Sequence, residues 1–81
     1  SVEQAEALLH LALPHMPGDA DLLYDLACAH SLGGELESSA EFLERAIQAG
    51  FVRWDQFEND ADLRNLRESP LFSEVLRNYG R

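Results

Sequence analysis

Shifted by 34 residues, the first part of this 81-residue chain falls onto itself. Val2 meets Leu36, Glu3 meets Glu37, Ala5 meets Ser39 and Leu8 meets Phe42; Leu9 then meets Leu43, Ala12 meets Ala46 and Leu13 meets Ile47. Small residues meet small ones, and large apolar residues meet large ones. Both copies space these positions at i, i+3, i+4, i+7 and i+8, which forms one stripe on a helix. A chain that repeats an amphipathic helix at a fixed period must stack its copies, because no copy buries its stripe alone.

A different helix is predicted between the copies. Asp19 is placed as its N-cap and Asp21 sits in its first turn, where the helix dipole favours acids. Leu22, Leu23, Leu26, Ala27, Ala29 and His30 follow, and the pair Gly33-Gly34 stops it. The second copy then spans residues 35–49, with Glu35 and Glu37 at its start, Arg45 in its last third and Gly50 as its stop. Pro14 falls late in the first copy and should kink or end that helix. Loops this short force neighbouring helices to run antiparallel, so the expected class is all-α, built of antiparallel helix-turn-helix units.

Past Phe51 the period fades: Phe57 matches Leu23 and Ala61 matches Ala27, but Asp60 stands where Leu26 was. Asp60 reads as the N-cap of a short helix through Leu63 and Leu66. Ser69 and Pro70 open another, with Leu71 or Phe72, Val75, Leu76 and Tyr79 on its apolar face and Gly80 at its end. Phe51, Trp54 and Phe57 make either the core of this tail or a hot spot for a partner, the core being the commoner use of such a trio.

At these spacings the chain resembles the tetratricopeptide repeat family. Leu23, Leu26-Ala27, His30, Gly34, Ser39, Leu43 and Ala46 stand at the positions of that motif, and Ala5, Leu9, Ala12 and Pro17 repeat half of it one period earlier. His30 replaces the usual Tyr, Ser39 the usual Ala and Phe51 the usual Pro. The stretch from Ala49 to Phe72 also looks like the closing segment of such arrays, ending in "DADLRNLRESPLF". The resemblance implies a fragment of a right-handed superhelix. Residues 1–17 would be the second helix of a truncated repeat, 18–50 one full repeat and 51–81 the C-terminal capping helices. It also implies a non-catalytic scaffold or adaptor whose first helices line a groove for a peptide.

Composition narrows the partners. Fifteen acids face six Arg and no Lys, a formal charge of −9. Nucleic acid and anionic membrane are poor partners for that surface, since both reward neutralised phosphates. The apolar runs are far shorter than the roughly 20 residues of a membrane span, and no signal peptide is evident. A lone Cys28 forms no internal disulfide, which fits a reducing, cytoplasmic setting. Because the chain opens on Ser1 rather than Met, a piece of a longer protein is expected.

No pattern points to catalysis, a cofactor or a metal. Cys28 and His30, two apart on a helix, point about 200° from each other. His10 and His15 are poorly spaced for one face, and no C-x-x-C or H-E-x-x-H occurs. Asp60 with Asp62 and Glu35 with Glu37 are explained by helix starts. The expected partner-binding groove is the face of Asp21, Tyr24, Asp25, Cys28 and Ser31, off the Leu23–Leu26–His30 packing stripe. Being acidic, it would repel a carboxylate terminus and suit neutral or basic segments. The alternative is that this face packs on a missing neighbour. Two rival readings are a self-association module and an acyl-carrier-like protein. The second lacks the Asp-Ser-Leu its arm needs: "AHSLGG" and "ELESSAEF" are the nearest stretches.

Overall fold

In the computed structural model, which describes all 81 residues, three successive helices account for the repeated region: α1 (Val2–Ala12), α2 (Ala20–Leu32) and α3 (Leu36–Gln48). Four short elements follow: α4 (Trp54–Asn59), a 3₁₀ turn (Ala61–Leu63), α5 (Arg64–Arg67) and α6 (Pro70–Arg77). There are no strands. The class expected from the sequence is the one found: all-α, with antiparallel, repeat-like helix pairs.

Local signals set the element ends. The Asp19 carboxylate accepts the Leu22 amide at 2.9 Å, so an otherwise orphaned donor at the start of α2 is satisfied. Glycines at φ +76 (Gly34) and φ +108 (Gly50) carry the chain out of α2 and α3 through backbone that side-chain-bearing residues rarely adopt. Helix α1 stops at Ala12, just before Pro14, whose missing N–H cannot continue the ladder. At the far end Ser69 caps α6, accepting the Leu71 amide at 3.1 Å, and Pro70 opens the helix.

Helix α2 is the centre of the molecule. Leu22, Leu23, Tyr24 and every residue from Leu26 to Ser31 are buried, on all sides of the helix. Helices α1 and α3 cover one side, and the 3₁₀ turn with α5 covers the other. Leu26, Ala27, Leu43 and Ala46 are completely buried, so the small pair brings the α2 and α3 backbones close while the leucines fill the remaining space. Truncating either leucine to Ala removes about 2–5 kcal/mol, a large part of what a domain this size has.

The tail is fastened to α2 by polar as well as apolar contacts. Ser31, fully buried, accepts the Leu66 amide on its hydroxyl at 3.1 Å, and its carbonyl accepts Asn65 Nδ2 at 2.9 Å. Arg67 donates to the Phe57 and Asp60 carbonyls at 2.8 and 2.7 Å, closing the α4–α5 corner. Phe57, also fully buried, packs between Tyr24, Phe51 and Trp54, so the aromatic trio serves as the core of the tail. Phe72, Val75 and Leu76 seat α6 on the remainder.

Candidate functional site

The first turns of α2 carry Asp21, Tyr24, Asp25 and Cys28 toward one side, at 3,1,3 spacing. The tail supplies the facing wall. Together with Phe51, Arg53, Gln56, Asp60 and Asp62 these four residues line an open depression of about 370 Å³. Tyr24 is its hinge: its ring stacks on Phe51 at 4.3 Å and its hydroxyl donates to Asp60 Oδ2 at 2.7 Å. The Cys28 thiol lies 4.0 Å from the same carboxylate oxygen.

Four of the five residues expected to form a groove therefore do share one surface, but only Asp21 and Asp25 are exposed. Tyr24 and Cys28 are buried at its floor, where outward-facing side chains were expected from the helical spacing. Ser31 is not on it; Leu66 and Asn65 have taken its polar groups and its exposure is nil. The physical reason is the same in each case. The tail folds back over the outer face of α2, which the helix periodicity alone left open.

Burial and charge set the chemistry of this surface. The Cys28 thiol is pushed up to about 12, first by burial and then by the charges of Asp60, Asp62 and Asp25, so it stays protonated at neutral pH. Burial, and next the bond to Asp60, drives the Tyr24 phenol far above its ordinary range. Asp25 is raised by burial and by Asp21, Asp19 and Asp60. Burial alone would raise Asp60 as well, but bonds from Tyr24, the Asp62 amide and Gln56, with the Arg67 charge, bring it below the usual carboxylate range.

Beside this acidic hollow lies an apolar one of about 350 Å³, lined by Val2, Ala5, Leu9, Ala29 and Leu32. The two share Asp25, Cys28 and Asp62. They form one strip along α2, acidic at one end and apolar at the other. The residues that sequence reasoning missed, Arg53, Gln56 and Asp62 among them, come from the tail. Asp60 was legible only as a helix cap; its contact with Tyr24 spans 36 residues and leaves no local signal.

No protein family matches the chain, and no solved structure matches it. Among curated proteins, a chloroplastic protein of Arabidopsis thaliana is 29% identical over 56 residues, 69% of this chain. The chain spans 17% of that relative's length.

Proposed function

We propose that this chain is the closing part of a tetratricopeptide-like array, and that the strip along α2 takes up a peptide segment carrying both basic and apolar side chains. The observation that carries the reading is the composition of the strip. Asp21, Asp25, Asp60 and Asp62 stand around it with Arg53 as the one basic side chain, and the apolar hollow adjoins them. A basic residue of the segment would sit among the carboxylates and an apolar neighbour would enter between α1 and α2. A terminal carboxylate would be repelled. The array part of the reading is supported by α1. Its Leu8 is 67% exposed, whereas Phe42, its counterpart one period on, is buried against α2. A preceding helix would do for α1 what α2 does for α3.

Selection from a random peptide-display library tests the proposal. Enriched sequences should combine Lys or Arg with large apolar residues. Their affinity should fall about tenfold or more in the doubly charge-reversed Asp21→Lys, Asp25→Lys chain, and fall with added salt. Enrichment of acidic sequences, or affinity indifferent to both changes, refutes it. A second reading, self-association, rests on Leu8 and Leu11, both mostly exposed on α1. Sedimentation of the Leu8→Glu, Leu11→Glu chain against the parent separates the two, since only a dimer through α1 would dissociate.

A further inference from the structure

Near the C-terminal end of α2, residues from α1, α2 and the start of α3 bring unlike polar groups to one point. His30, whose side chain is nine-tenths buried, directs Nδ1 at Glu35 Oε1, 3.0 Å away, and at Glu6 Oε2, 3.5 Å away. All three ligand atoms lie within 4.8 Å of one another. On its other edge His30 Nε2 meets His10 Nε2 at 2.9 Å. We propose that Glu6, His30 and Glu35 form a site for a divalent transition-metal ion of the zinc class, with His10 as a positioning residue.

Geometry comes first. Ligand atoms about 2.0–2.1 Å from a tetrahedral zinc ion stand about 3.3–3.4 Å apart, and the two imidazole–carboxylate separations bracket that value. Small adjustments of two glutamate side chains would close the difference. Glu6 Oε2 is shut off from solvent and has no hydrogen-bond partner, a costly arrangement for a carboxylate oxygen unless something else meets it. Gly33 makes the room: a Cβ there would stand 2.9 Å from Glu6 Oε2 and 3.1 Å from Glu35 Oε1.

The donor set selects the ion. One imidazole nitrogen with two carboxylates suits zinc and its neighbours, whereas calcium asks for six to eight oxygens. Ligation through Nδ1 requires the proton on Nε2, and His10 Nε2 stands where it accepts that proton's hydrogen bond. With an ion in place of a proton at Nδ1, which stands 3.0 Å from Glu35 Oε1, His30 would keep its N–H on Nε2, toward His10. A cation would also relieve the carboxylates. The sequence concealed the cluster because its members are 24 and 5 residues apart, on α1, at the end of α2 and just before α3.

Calorimetric titration of the intact chain with zinc chloride, in buffers of different ionisation enthalpy, tests the site. One ion should bind per chain with proton release and a raised Tm. Glu35→Gln, at a half-exposed position, should keep the helical circular-dichroism spectrum and lose about tenfold or more in affinity. His30→Gln should do the same, and His15→Gln should change nothing. His10→Leu should lose about 10–100-fold while His10→Gln, which retains an acceptor, stays within a few fold. Nitrogen-15 spectra of the zinc-loaded parent should show His30 ligated at Nδ1 and protonated at Nε2, a signature independent of any variant's folding. Absence of 1:1 binding, binding unchanged by Glu35→Gln, or a His30 ring unaltered by zinc overturns the proposal.

Discussion

Two serines are completely buried, and they are not equivalent. Ser39 Oγ donates to the Ala27 carbonyl at 2.6 Å, a group the α2 ladder already serves. Ser39→Ala therefore strands nothing and should cost under about 1 kcal/mol in urea unfolding. Ser31 Oγ accepts the buried Leu66 amide, which has no other acceptor within a helix this short. Ser31→Ala strands that N–H and should cost about 1–3 kcal/mol. Cys28 gives a second prediction at this scale. With its thiol near 12 against an ordinary 8.5, native alkylation at pH 8 should run about a thousandfold slower than in urea. Comparable rates would mean that the tail does not cover α2. A third concerns acid. Asp60 sits below its unfolded value, so the stability it adds is full above about pH 4–5 and is lost as pH falls through its folded pKa. Unfolding midpoints should consequently drop more steeply between pH 5 and 3 in the parent than in Asp60→Asn.

Among the elements, α1 is held least: none of its residues is buried, whereas α2 has nine and α3 six. Leu9, Ala12 and Leu13 touch the core, and the polar group around His30 supplies the rest of its anchorage. Hydrogen exchange should accordingly be fastest in α1 and slowest in the centres of α2 and α3. Uniform protection across the three would contradict the packing described. Helix ends were the most legible feature of the sequence, because a cap is a local event. Asp19, Asp60 and the Ser69-Pro70 pair each stand where a donor needed an acceptor or could be spared. Facing was legible for α3, whose one apolar stripe meets α2. It was misleading for α2, whose second covered face depends on a tail arriving from over thirty residues away. That is why Cys28 and Ser31 read as outward-facing and are buried.

At the scale of the molecule, α2 has two sides with different uses. One side joins α1, α2 and α3 through apolar packing and the Glu6–His10–His30–Glu35 group; the other is roofed by the tail, which leaves the strip of Asp21, Asp25, Asp60 and Asp62 running into the apolar hollow between α1 and α2. Cys28 and His30, neighbours in the sequence, belong to opposite sides. The proposed reading of the chain as a peptide-binding array end stands on the strip. A chemical-shift titration of the isotopically labelled chain with a library-selected peptide of lysines and leucines tests it most directly. The account predicts that amides of Asp21, Asp25, Cys28, Arg53 and Asp62 move together and saturate, and that Asp21→Lys, Asp25→Lys abolishes the movement. Shifts confined to α6 or to the Leu8–Leu11 face, or shifts that survive the charge reversal, would contradict it.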